Sequence, residues 1–307
     1  YDKYGFVYCF SNSVVDVGIS EPSDYSEEKM LEIKDELDTV KASGAKFAKR
    51  KPNVIVVQLE SFMDPSYVKE LSFNMNPIPN FTKLKEECSS GFLTMPAIGA
   101  GTANSEFEVL SGFDVAYFGA GEYPYKTVLG STTCETMATQ FKKLGYSTHA
   151  IHNNDGTFYD RNLVFSHLGY ETFTSIEYMD GFEETPMGWA KDNILTGEIT
   201  KALDSTTGTD YVFTISVQGH GDYPSTPMEG YTPEIKVTNF PVAEQQASFE
   251  YYVNQIHEMD NFIGELIQSL SERDEETVLV LYGDHLPTFD FTDEMLTNGD
   301  KFQTQYV

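Results

Sequence analysis

The sequence predicts an α/β fold, a three-layer α/β/α sandwich around a mainly parallel central sheet. Three observations predict it. Four short runs rich in β-branched and apolar residues are spread along the 307-residue chain. Amphipathic helical stretches lie between them. The residues that directly follow the runs are ones that carry chemistry. Strands that alternate with helices build parallel sheets covered on both faces.

The first run, Asn53–Leu59 (NVIVVQL), is continuous rather than alternating, as suits a strand buried on both faces. Thr148–Ile151, Tyr211–Val217 (YVFTISV) and Thr277–Leu281 (TVLVL) are the other three. Helices are expected over Glu135–Leu144, closed by Gly145, over Asp192–Leu203 and over Ala243–Ser271. Residues 1–50 read as a leading segment or linker. It holds a helical pattern between Ser20 and Leu37 and a basic stretch, KFAKRKP, from Lys46 to Pro52. Residues 51–307 are then expected to form the main domain.

Composition excludes some functions. Lys and Arg number 20 against 48 Asp and Glu, a net charge of −28. Such a chain repels nucleic acid and anionic headgroups alike, so an anionic substrate needs a local cluster of cations or a metal. Aromatics make up 14% of the chain, enough for a sizeable core. Cys9, Cys88 and Cys134 form no CxxC and no Cys/His metal spacing. No apolar run is long enough to span a bilayer, and no leader sequence is visible.

Chemistry collects at the strand ends. Glu60 follows the first run, His152 the second, Gln218-Gly219-His220 the third and Asp284-His285 the fourth. Ligands in open α/β sheets bind beyond the carboxyl ends of the strands. Taken singly, each of these residues has a bland reading as a surface, capping or core group; four strand ends in one chain do not. Two carboxylates and an imidazole suit Mn²⁺, Mg²⁺ or Zn²⁺ rather than a thiolate metal. The nucleophile candidate is Thr102, after Gly99-Ala100-Gly101. Ser105 and Glu108 have capping-box spacing, so a helix is expected to start near Ser105 with Thr102 just ahead of it. Arg161 stands in the polar stretch HNNDGTFYDRN and suits phosphate recognition. Trp189 fits a packing role as well as a site wall.

With these residues assembled, the chain resembles the lipoteichoic acid synthase family, in the sulfatase-like branch of the alkaline phosphatase superfamily. The matching pieces are VVQLESF (56–62), GAGTANSEFEVLSG (99–112), HNNDGTFYDRN (152–162), HLGY (167–170), GHGDYP (219–224) and YGDHLP (282–287). The chain has Tyr159 where some members have Trp, and Asn154 where some have Asp. The resemblance implies that Glu60, Thr102, Asp284 and His285 bind one divalent ion, Mn²⁺ first, and that Thr102 carries a covalent phosphoglycerol intermediate. It implies that His152, Arg161, His220 and Tyr159 hold the substrate, with His220 or His152 as proton carrier. The expected donor is phosphatidylglycerol and the expected acceptor a glycerophosphate polymer or a glycolipid. The expected place is the extracellular face of a bacterial membrane, reached through segments outside this chain. The family usually continues well past the Asp-His pair, so a C-terminal subdomain is expected to be missing from this chain. Sulfatase chemistry itself is not expected, because neither Cys88 nor Cys134 opens a C/S-x-P-x-R motif. A phosphoethanolamine transferase, a phosphodiesterase, or an inactive lipid- or teichoic-acid-binding domain are the alternatives.

Overall fold

A computed structural model describes residues 4–15, 19, 21–44 and 51–307. The chain divides into two compact units. One comprises Tyr1–Lys51 with Ala116–Glu122 and carries two helices, α1 (Gly5–Val15) and α2 (Glu27–Gly44). The helical pattern expected between Ser20 and Leu37, after a Pro/Ser start, is α2, which begins at Glu27 and runs on to Gly44. Ser26 takes the Lys29 N–H, and Glu27 and Glu28 sit in the first turn, where the helix dipole favours acids. Ser20 and residues 46–50 of the basic stretch lie outside the described residues.

The second unit, Pro52–Val115 with Tyr123–Val307, holds the sheet. Its strands are β1 (Asn53–Leu59), β2 (Ser72–Phe73), β3 (Gly91–Thr94), β4 (Ser147–His152), β5 (Thr172–Ser175), β6 (Asp210–Ile215), β7 (Val237–Thr238), β8 (Thr277–Gly283) and β9 (Gln303–Tyr306). Seven pair in the order β3-β9-β8-β1-β6-β4-β5; β2 and β7 form a separate ribbon. The five strands from β8 to β5 run parallel, and β9 and β3 add an antiparallel edge. β1 lies at the centre and is buried almost throughout, which is why its sequence is continuously apolar.

Helices cover both faces. Ile55, Val57 and Leu59 of β1 pack in one core with Phe81 of α3 (Pro79–Glu87), Leu195 and Ile199 of α7 (Ile194–Asp204) and the buried stripe of α8 (Gln246–Ser271). The other face is aromatic. Tyr211 and Phe213 of β6 meet Phe141 of α5 (Met137–Lys143) and Phe165 of α6 (Arg161–His167). The expected three-layer sandwich is the observed one. β6 ends at Ile215, two residues before the apolar run does, because Val217 and Gln218 turn their N–H groups to Asp192. The strand β9, between β3 and β8, carries no apolar run: Thr304 donates to the Gly283 carbonyl and Gln305 accepts from the Asp64 N–H. Cys9, Cys88 and Cys134 are free thiols.

Candidate active site

Register brings the acids together. Leu59 of β1 pairs with Gly283 of β8, so the next residues, Glu60 and Asp284, leave the sheet side by side. Close approach is built in from a third strand. A Cβ on Gly219, just beyond β6, would lie 2.2 Å from the Glu60 carbonyl oxygen, so only glycine fits there. The helix α4 (Thr102–Ser111) starts at Thr102 itself, after Gly101 in the left-handed region at φ 100°. That corrects the sequence expectation of a start near Ser105. Ser105 is no cap; its hydroxyl donates to the Asp284 carbonyl and ties α4 to β8. Glu108 instead accepts the Val115 N–H.

Thr102 Oγ1 lies 3.1 Å from Glu60 Oε2 and 3.5 Å from His285 Nε2. One ligand atom each of Glu60, Asp284 and His285 falls within 4.8 Å of the others, and all three residues are buried. Asp284 Oδ1 accepts the N–H groups of Ser61 and His285, while Oδ2 is buried with no hydrogen-bond partner. His285 Nδ1 faces the Leu286 carbonyl, which can only accept. The Nδ1 proton therefore fixes the tautomer and leaves the Nε2 lone pair turned to the carboxylates. Burial, and then the Glu60 charge, push the Asp284 carboxyl up to about 7. Burial opposes the His285 imidazolium, but Asp284 and Glu60 hold its pKa above the ordinary value. Two acids and a lone pair aimed at one point, with an orphaned carboxylate oxygen among them, is a donor set that fits a divalent cation.

The cleft above this cluster has a volume of about 340 Å³ and is lined by Glu60, Thr102, Tyr159, His220 and His285 among others. His220 packs on Trp189 with ring centroids 4.3 Å apart, and the indole N–H donates to the Gly221 carbonyl. Trp189 thus braces the turn that carries His220, a role the sequence left open. Tyr159 and Asp160 are both left-handed, at φ 60° and 56°. That strained pair turns the Tyr159 ring into the cleft against Tyr123. Burial pushes the Tyr159 hydroxyl up to about 12, so it remains a neutral donor.

Two other expected residues do not line the cleft. His152 is 2% exposed and gives its Nδ1 proton to the Ile215 carbonyl. Burial, reinforced by Arg161, drives its pKa well below the ordinary value, so it stays neutral. Arg161 is 1% exposed. It grips Glu106 with Nε and Nη2 and donates from Nη1 to the Phe158 carbonyl. Glu106 lies one turn along α4 from Thr102, so this buried pair fixes the helix that presents the hydroxyl.

Asp192 escaped the sequence reading, because a lone acid at a helix start gives no signal. It is fully buried; Oδ1 accepts from Val217, Gln218 and the Asn153 side chain and so holds the turn before His220. Burial pushes its carboxyl up to about 6. The folded state therefore holds this proton more tightly than the unfolded one. That contribution is full below the unfolded value near 3.9 and is lost as pH rises through about 6, a span worth about 3 kcal/mol. Asp192→Asn keeps the Oδ1 acceptor and cannot ionise. Its melting temperature is expected to lose this fall between pH 4 and 7, as calorimetry at matched ionic strength would show. An unchanged slope would remove Asp192 as the cause.

A family profile described as Sulfatase matches residues 52–306. The chain is 30% identical over 287 residues to a putative cyclic beta-1,2-glucan modification protein of Rhizobium meliloti, covering 94% of this chain and 43% of that protein. It is 24% identical over 247 residues to lipoteichoic acid synthase of Staphylococcus saprophyticus, covering 78% of this chain and 36% of that protein. The chain thus spans well under half the length of these relatives. Among solved structures, the Streptococcus pyogenes phosphoglycerol transferase GacH superposes with a TM-score of 0.81 at 21% identity, over 94% of this chain and 76% of that one. With the strand order, the strand-end cluster and a profile match over nearly all of the second unit, the chain belongs to the sulfatase family.

Proposed function

We propose that residues 51–307 form a transferase domain that moves phosphoglycerol from phosphatidylglycerol to an acceptor hydroxyl through a covalent bond to Thr102. One observation carries the reading: the Thr102 hydroxyl stands at the N-terminus of α4 and within 3.5 Å of both Glu60 and His285. Glu60, Asp284, His285 and the Thr102 oxygen would hold the ion, with Mn²⁺ the first choice and Mg²⁺ or Zn²⁺ the others. A divalent cation bound there would lower the cost of ionising the hydroxyl and of charge on the phosphoryl oxygens.

In the first half-reaction Thr102 Oγ1 bonds to phosphorus and releases its proton along the hydrogen bond to Glu60. The bond from phosphorus to the diacylglycerol oxygen breaks, and that oxygen takes a proton from His220. In the second half, an acceptor hydroxyl gives its proton to His220 and its oxygen bonds to phosphorus. The Thr102–phosphorus bond breaks and the threonine regains its proton. His220 is preferred to His152 as proton carrier because it lines the cleft. N–H groups at the start of α4 and the Tyr159 hydroxyl would meet the phosphoryl oxygens from the cleft side, with Arg161 and His152 behind them.

The proposed setting is the extracellular face of a bacterial membrane; no described helix is long and apolar enough to cross one. The test is headgroup selectivity. Given Mn²⁺ and mixed vesicles, the protein is expected to release diacylglycerol from phosphatidylglycerol at least tenfold faster than from phosphatidylethanolamine. The reverse preference would make it a phosphoethanolamine transferase. Water-only products at every acceptor concentration would make it a phosphodiesterase.

A further inference from the structure

Outside the cleft, one more hydroxyl stands against a buried imidazole. His149 of β4 pairs in register with Thr172 of β5, and on its other side β4 pairs with β6. His149 Nδ1 lies 2.8 Å from Thr172 Oγ1, and His149 Nε2 lies 3.1 Å from Asp210 Oδ1. A carboxylate can only accept, so Nε2 carries the ring proton and the Nδ1 of a neutral ring accepts from the Thr172 hydroxyl. Asp210 Oδ1 also takes the Thr206 hydroxyl proton at 2.8 Å, which fixes the carboxylate. His149 is 4% exposed and Asp210 1%, whereas Thr172 is exposed on β5, the last strand of the sheet. A reachable hydroxyl, a buried base behind it and a carboxylate behind the base form the chain that turns a weak alcohol into a nucleophile. None of the three has a part in the transfer reading.

Thr172 lines a cavity of about 450 Å³ that shares no lining residue with the cleft. Phe165, Tyr170, Phe173 and Tyr178 give it aromatic surface. Glu171 and Glu177 line it too, and among the described residues no Lys or Arg does. Carboxylates repel phosphate and other anions, whereas a neutral ester meets no such cost. Asn162 lines the same cavity and brings amide N–H donors for a developing oxyanion. We infer that Thr172 is a second nucleophile, which takes the acyl group of a neutral carboxylic ester, with His149 as its base and Asp210 orienting the ring. Thr172 Oγ1 bonds to the ester carbonyl carbon while its proton passes to His149 Nδ1. The bond from that carbon to the alcohol oxygen breaks, and the alcohol leaves with the proton from His149. Water then gives a proton to His149 Nδ1 as its oxygen bonds to the acyl carbon. The acid leaves, and Thr172 takes that proton back. The step needs no metal and holds whether or not Thr102 transfers phosphoglycerol.

The test uses the full 307-residue chain and p-nitrophenyl acetate, read by nitrophenolate release and by peptide mapping of the acetyl group. Outside the cleft, Thr172 is expected to gain acetyl about tenfold faster, or more, than any other exposed Ser or Thr of the same chain. Thr172→Ser is expected to keep the reaction at this position. Thr172→Val, which retains the β-branched shape that suits a strand, is expected to lose it with an unchanged melting temperature. His149→Gln removes the base and is expected to slow acetylation of Thr172 by about tenfold or more. Asp210→Asn leaves the imidazole in place and is expected to slow it by a similar factor. It serves as the second variant should the glutamine chain fail to fold, which circular dichroism reads. Acetyl that reaches Thr172 no faster than other exposed hydroxyls overturns the inference. So does acetylation of Thr172 that runs at the native rate in a folded His149 or Asp210 variant, since Thr172 would then be an ordinary surface hydroxyl.

Discussion

Replacing Thr102 by Ala is expected to lower phosphoglycerol transfer by more than about a thousandfold, the scale seen when a covalent nucleophile is removed. The loss should fall on diacylglycerol release as well as on transfer, because both halves pass through the threonine oxygen. Stability should move by about 1 kcal/mol or less. The side chain is 7% exposed, and its hydroxyl has a hydrogen bond to Glu60 and a long contact to His285. Intact-protein mass measurement after incubation with phosphatidylglycerol should find a phosphoglycerol adduct on the native chain, placed on Thr102 by peptide mapping, and none on the alanine variant. Near-native headgroup release by Thr102→Ala would point to direct water attack. An adduct on another residue would relocate the nucleophile.

Much of this site could be read in the sequence because parallel sheets place function at strand ends. Glu60 and His220 stand just beyond the buried strands β1 and β6, His152 closes β4, and Asp284 and His285 follow β8, so each sits at a strand end. The three-layer fold followed from the apolar runs of those strands. The start of α4 did not, because a spacing of Ser105 and Glu108 is ambiguous. Either residue caps a helix if nothing better is near, and here the Asp284 carbonyl and the Val115 N–H are nearer. β9 was illegible for a related reason. Its Thr304 and Gln305 are buried by hydrogen bonds to Gly283 and Asp64, partners that no periodicity announces. The most consequential hidden contact is that of Arg161. A guanidinium in a polar stretch suggests an anion from outside, and pairing with Glu106 lies 55 positions away in the chain.

That pair sets the second large expectation. Arg161→Lys keeps the charge and loses the planar fork that grips both oxygens of Glu106. Both partners are at most 1% exposed, so the change leaves a buried carboxylate half satisfied. Complete removal in Arg161→Ala is expected to cost about 3–5 kcal/mol of stability, and Lys a part of that. Catalysis should suffer too. The fork has five N–H groups, and its contacts to Glu106 and the Phe158 carbonyl use three. The guanidinium also lies 5.2 Å from the centroid of the Tyr159 ring, which faces the cleft. If it supports the phosphoryl oxygens from behind that ring, Arg161→Lys should lower kcat and kcat/KM together, by about 2–4 kcal/mol of transition-state stabilisation. Stability and chemistry separate in the double variant Arg161→Met with Glu106→Leu, since replacing a buried ion pair by apolar groups of similar volume is often neutral. Denaturant unfolding of the double variant is expected to recover most of the loss, while its transfer rate stays low. Should turnover return along with stability, Arg161 acts on the reaction only by holding α4 in place, and the phosphate contacts come from the Thr102 end of the cleft alone.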